Sequence, residues 1–172
     1  MESTFDLKAA LARLLGLLDC AGDWVGLLCL RLIVGYEFLD SGLVKFRGDN
    51  WFADIQDQFP FPFNVIPPDI SWQMSMWFEI LGGVAIILGL GTRFFAASLV
   101  VVTVVAIAAV HWPAEWHTLA ELAQGYVLTD DGYGNYKLPL ILLVMLLPLI
   151  FQGPGKLGFD HWIRRAWLGK PR

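Results

Sequence analysis

The chain has 172 residues and a formal net charge of −4; 56% of its residues are hydrophobic and only 16% charged. A soluble domain of this length carries about 25% charged residues, and the mean hydropathy here is +0.57. The composition therefore points to an all-α, polytopic membrane domain over residues 1–172. The acidic balance, with no dense Lys/Arg tract, excludes a nucleic-acid partner. Cys20 and Cys29 form no C-x-x-C, which argues against thiol–disulfide exchange.

Residues 4–19 carry Leu7, Leu11, Leu14, Leu15 and Leu18 on one helical face, with Asp6, Lys8, Arg13 and Asp19 away from it. This is the pattern of an interfacial helix or of a helix capping the bundle. Glu2 and Asp6 spoil the basic region of a signal peptide, and no A-x-A site follows. Gly22 and Asp23 mark a turn into the first span, about 24–46. That span is long enough to cross hydrocarbon, yet it holds Arg31, Glu37, Asp40 and Lys45. Ionisable groups at such depth are costly and face a bundle interior or a wet cavity. Arg31, Gly35, Phe38, Gly42 and Lys45 recur at spacings of four and three, so they share one narrow stripe.

The connector 47–71 spaces Trp51, Phe52, Ile55 and Phe59 as a short interfacial helix; Phe-Pro-Phe-Pro-Phe ends it, and Pro67-Pro68 starts the next helix. A loop of this length is either an aromatic anchor or a lid over a site. The second span, about 72–90, has Glu79 as its only charged group. Gly91-Thr92-Arg93 turns tightly into a third span, about 94–112, which is nearly all apolar and is expected to face lipid.

A second polar connector, 114–136, contains Glu115, His117 and Glu121 and a turn-forming run, Asp130 to Tyr136. The fourth span is about 137–152. The tail 156–172 mixes Trp162, Ile163 and Trp167 with Arg164, Arg165, Lys170 and Arg172, as suits a helix on an anionic leaflet. The reading is thus a four-transmembrane-helix antiparallel bundle with amphipathic helices at the termini and in the first outer loop. Lys and Arg concentrate on the side of the termini. The positive-inside rule then puts both termini in the cytoplasm and the acidic loops outside.

Counting depth from Trp24 and from Leu90 sets Glu79 level with Gly35, and Arg31 about one turn, roughly 6 Å, deeper. An Arg31–Glu79 contact is expected, because an unpaired charge in hydrocarbon is strongly disfavoured. Its role is either to fix helix register or to hold a ligand. Arg31, Glu37, Lys45 and Glu79 are the candidate buried ligand-binding cluster. Arg47, His111 and His117 form a candidate outer rim suited to a quinone head group, a sulfur oxyanion or a metal ion. His111, Glu115 and His117 are ligand types, but Pro113 interrupts any helix joining them. No G-x-S-x-G, H-E-x-x-H, Walker or haem-type ligand pattern occurs, so no catalytic residue and no redox-active group is visible in the chain itself.

Four features together resemble the DoxX family of small four-helix membrane proteins: Arg31, Gly35, Phe38, Gly42 and Lys45 in the first span; Glu79 and Gly82 in the second; the turn from Gly89 to Arg93; and G-P-G-K-L-x-x-D from Gly153 to Asp160. The family is similar to the membrane subunit of a thiosulfate:quinone oxidoreductase, and other members are linked to oxidative, thiol or copper stress. The resemblance implies an inner-membrane component of a quinone-linked redox system, with quinone as the bound group and an electron carrier that is bound or supplied by a partner. The alternative is a non-enzymatic anchor or transport-like component in metal or thiol stress. Either role implies the lipid bilayer and a protein partner or second copy as neighbours.

Overall fold

The computed structural model describes residues 7–113, 115–126 and 135–169. It is all-α, with no strand among the described residues. The elements are α1 (Leu7–Ala21), α2 (Leu27–Arg47), α3 (Pro68–Leu88), α4 (Thr92–Ala106), α5 (Leu119–Gln124), α6 (Lys137–Gln152) and α7 (Phe159–Leu168). α2 packs chiefly on α3, α4 lies between α3 and α6, and α6 closes the ring back to α2. One end of this ring carries the chain's terminal segments and the Gly89–Arg93 turn. The other carries the long connectors, and is called the loop end below.

The helix boundaries follow local chemistry. Pro68 opens α3 at a position where its missing N–H is no loss. Gly89, in the left-handed region at φ 70°, stops the helix. Gly91 repeats that conformation at φ 56°, and α4 starts at once, so α3 and α4 are antiparallel neighbours. The chain then stays helical through a π turn, Ile107–His111. Among the described residues two helices are long and apolar enough to cross a membrane, Pro68–Leu88 and Thr92–His111; α6 is apolar but shorter. The third segment is not wholly turned outward as expected. Ala96, Leu99 and Thr103 are buried against the bundle, while Val101 and Val104 are exposed.

The turn expected at Gly22–Asp23 is absent. Ala21 and Gly26 keep right-handed helical dihedrals around a π-helical turn, Gly22–Gly26, so α1 runs into α2 without a break. Glycine permits a bend there but does not impose one. α1 keeps its leucines exposed, and residues 4–6 of the expected segment lie outside the described residues. Cys29 lies on the exposed face of α2 rather than packed within the bundle.

Close approach of α2 to α3 fixes their register. A Cβ on Gly35 would lie 2.8 Å from the Gly83 carbonyl oxygen, and one on Gly83 would lie 2.7 Å from both Gly35 O and Leu39 N. A Cβ on Gly42 would lie 2.8 Å from Ile80 N. These contacts are with backbone, which cannot swing aside. Between α2, α3, α4 and α6 the core is Val34, Phe38, Ile86, Ala96, Leu99, Leu146 and Leu149.

Gly83→Val should therefore force the two helices apart and destabilise the bundle by about 1–3 kcal/mol or more. Gly16→Ala, with nothing within 4 Å of the added carbon, should leave the melting temperature unchanged or slightly raised. Thermal unfolding of the detergent-purified variants checks both.

Candidate functional site

The glycine contacts pair Gly35 with Gly83 and Ile87, and Gly42 with Glu79 and Ile80. Glu79 is therefore level with Gly42, not with Gly35. The expected Arg31–Glu79 contact is not formed. Lys45 takes the place assigned to Arg31: its Nζ lies 2.6 Å from Glu79 Oε2 and donates to Ser41 Oγ at 3.0 Å. Ser41 Oγ donates to Glu79 Oε2 at 3.2 Å, and Ser75 Oγ to Oε1 at 3.4 Å. The depth count failed at its origin. With Gly42 level with Glu79, the residue of α2 level with Leu90 is eleven positions earlier, Arg31 and not Trp24.

Glu79 is buried and Lys45 largely so, with side-chain exposures of 6% and 15%. Removing two ions from water is costly, and mutual attraction plus hydrogen bonds must offset that cost. Glu79 Oε2 accepts from both Lys45 and Ser41, whereas Oε1 has one long bond. Lys45 has donor capacity beyond its two bonds. The pair thus presents an acceptor and a donor side by side.

It borders a cavity of about 630 Å³ in the loop half of the ring. α2 contributes Glu37, Phe38, Ser41 and Lys45; α3 contributes Ser71, Met74, Ser75, Phe78 and Glu79. α4 and its π turn add Ser98, Val101, Val102, Val105 and His111, and α6 adds Leu138, Pro139 and Leu142. Trp51, Phe52, Phe59 and Phe63 of the first connector also line it. Phe52 and Phe59 are buried, packed with Trp72 and Ala109 in one aromatic cluster. Their rings stand 4.9 Å apart, and Phe52 meets Trp72 edge-on at 5.0 Å. The connector's 3₁₀ helix, Phe52–Gln58, thus roofs the cavity.

The remaining candidates separate. Glu37 lines the cavity but is exposed, off the buried stripe. Arg47 is exposed past the last buried turn of α2. His111 reaches the cavity, and its Nδ1 lies 2.8 Å from Asn135 Oδ1. His117 lies apart, with its backbone N–H donating to Glu121 Oε2 at 2.7 Å. That bond holds the Glu121 carboxyl below the ordinary carboxylate range. Thr118 Oγ1 caps α5 by accepting from Glu121 N. His-Thr-x-x-Glu is a capping arrangement, which explains these polar residues without a ligand. Among the described residues no three His, Cys, Asp or Glu side chains gather as a metal set. The expected Asp130–Tyr136 turn falls mostly outside the described residues.

Arg31 belongs to the other end and does not line the cavity, so it leaves the candidate ligand cluster. It is 1% exposed, and its Nη2 donates to Leu157 O at 3.3 Å. It lies against Gly89 so closely that a Cβ there would collide with Nη1. Asp160, which the sequence reading left without a role, accepts from Gly91 N at 2.7 Å and Thr92 N at 2.8 Å. Its own N–H donates to Gly89 O at 2.8 Å. A carboxylate at the start of α4 suits the helix dipole there. Lys156 bonds Asp23 at 2.6 Å, and this raises the Lys156 pKa.

Apolar helices packed around a cavity with one ion pair in its wall define a small helical membrane protein. The chain belongs to the DoxX family, whose model matches residues 26–112. It is also similar to an uncharacterized protein of Haemophilus influenzae, 45% identical over 149 residues, 87% of this chain and 90% of that one. No solved structure matches the chain.

Removing one ion, as in Lys45→Met or Glu79→Leu, should destabilise the protein by about 3–5 kcal/mol, whereas the double substitution should recover most of that loss. Denaturation midpoints of the three variants measure it. Additive losses would mean that the two groups do not interact.

Proposed function

We propose that this protein is the membrane component of a redox system and binds a quinone-type molecule in the cavity of its loop half. The observation that carries the reading is the Lys45–Glu79 pair set into an otherwise apolar and aromatic wall. Ligand pockets of about 300–1,000 Å³ with few placed polar groups are the usual form of a small-molecule site. The pair is neutral as a unit, so it favours an uncharged head over an anion. Lys45 donates to a carbonyl oxygen of that head, and the free side of Glu79 accepts from a hydroxyl. Ser41 and Ser75 hold the two charged groups in place. The aromatic connector excludes water and gives a flat ring a stacking surface.

A bound quinone would supply two-electron, two-proton acceptance, and its quinol form, which carries the hydroxyl that Glu79 accepts from, would supply the reverse. This chain's part is to bind, orient and hydrogen-bond the head; a partner protein supplies the electron carrier. A metal-handling role has less to rest on, since His111 and His117 engage separate partners.

In this reading α2, α3, α4 and α6 all cross the bilayer, as one membrane domain in a bacterial-type inner membrane. On α2 Lys45 is paired with Glu79, Arg31 is buried with a hydrogen bond to Leu157 O, and Glu37 and Asp40 lie on the exposed face. Turning Arg31 and Lys45 inward lowers the cost of that helix as a span. α6 is short, and local thinning accommodates it. Arg93, Lys156, Arg164 and Arg165 sit at the terminal end against Arg47 and Lys137 at the loop end. The terminal end therefore faces the cytoplasm and the cavity roof faces outward.

Titrating protein in nanodiscs with a decyl benzoquinone, read by tryptophan quenching, should give saturable binding. Lys45→Met and Glu79→Gln should each weaken it about tenfold or more, and His117→Ala should leave it unchanged. Identical quenching in the wild type and both ion-pair variants would overturn the proposal.

A further inference from the structure

The cavity has an opening that the head-group reading does not use. α3 and α4 are held tightly near their shared turn, where a Cβ on Gly82 would lie 3.1 Å from Leu99. At the loop end they are bridged by Phe52, Phe59 and Phe63 against Val105 and Ala109. Between these two closures, Met74 and Val101 line the cavity yet are 40% and 53% exposed. Phe78 and Ser98 lie beside them, half-buried. A residue that faces both a cavity and the outside marks a lateral opening. The outside at this height is hydrocarbon, because α3 and α4 are the two helices apolar and long enough to span. Glu37 of α2 and Leu138 of α6 also line the cavity and are exposed, but that edge carries the Glu37 carboxylate. A hydrocarbon chain is not stabilised beside a carboxylate.

We propose that the ligand is a tailed lipid of the bilayer and not a water-borne small molecule. It enters sideways between α3 and α4, and its apolar tail remains in the cleft formed by Met74, Phe78 and Val101 while its head meets Lys45 and Glu79. This rests on the reading that the cavity takes an uncharged quinone-type head. The aromatic roof is then a fixed cover rather than the door. Lateral access also explains why an apolar cleft on these two helices is left uncovered by the rest of the described chain.

The test uses full-length protein in nanodiscs and two benzoquinones with the same head, one without a tail and one with a decyl tail bearing a terminal diazirine. Photolysis followed by peptide mass spectrometry should place the label on Met74, Phe78 or Val101, and excess unlabelled decyl quinone should suppress it. In Val101→Trp, which fills the cleft, the affinity of the tailed quinone relative to the tail-less one should fall about tenfold. Thermal unfolding of that variant separates a blocked cleft from a damaged fold, and Val104→Trp, at an exposed position of the same helix that does not line the cavity, should bind as the wild type does. Label on Glu37 or Leu138, or on Phe52 and Phe59, would overturn lateral entry between α3 and α4, as would an unchanged affinity ratio. Failure of both quinones to bind would overturn the head-group reading as well; tail-less binding with mislocated label overturns only this one.

Discussion

The structure depends on how closely α2 can approach α3. With both helices crossing the bilayer as proposed, lipid is as apolar as a leucine side chain, so burying apolar surface gives them little reason to associate. Backbone proximity supplies the reason instead. Gly35, Gly42 and Gly83 bring main chain within van der Waals reach of main chain, and this fixes the sliding position of one helix on the other. In that register Lys45 meets Glu79 and Arg31 meets Gly89. A slip of one turn would leave a carboxylate and an ammonium each without its partner in a low-dielectric interior. Packing and electrostatics thus select the same alignment.

The two ends of the bundle are built differently. At the terminal end, three parts distant in sequence lock together: Arg31 on α2, the Gly89–Thr92 turn, and the segment from Gly153 to Asp160. Asp160 satisfies two N–H groups at the start of α4, and Leu157 gives its carbonyl to Arg31. No cavity opens around the Lys45–Glu79 pair from this side, since Val34, Ile86, Leu99, Leu146 and Leu149 fill it. At the loop end the helices part around the cavity, and aromatic side chains of the connector cover the gap. A rigid base and an open upper half are what a ligand site between helices requires.

Much of this was legible in the sequence. The helices α3, α4 and α6 lie within a few residues of the hydrophobic runs that foretold them, because Pro68, Gly89 and Gly153 punctuate the chain by simple backbone rules. The stripe from Arg31 to Lys45 does face the bundle. The partner of each charge was not legible, because a depth count needs a common origin and sequence supplies none. Trp24 was an attractive start, but the backbone stays helical from α1 into α2, so no span end lies there. Matching Gly35 with Gly83 instead of matching span ends would have moved Glu79 about one turn along α2 toward Gly42. Asp160 was noted within a motif, but its target lay nearly seventy residues away, beyond the reach of local pattern. His117 looked like a site residue; Thr118 beside it, with Glu121 three residues on, signals a helix cap. Glu37 could not be assigned a side from periodicity alone, and it lies at the cavity edge rather than in the interior.

The account stands on a register that sets Lys45 against Glu79 inside the bundle, so exchanging the two charges is its most direct test. Lys45→Glu and Glu79→Lys, made singly, place like charges together. Each should fail to yield folded protein in the membrane fraction. Made together, they restore an opposite-charge pair at the same place, and folded protein should return. If the exchanged pair accumulates no better than either single variant, or if the single reversals are tolerated, the two groups do not meet and the register is wrong.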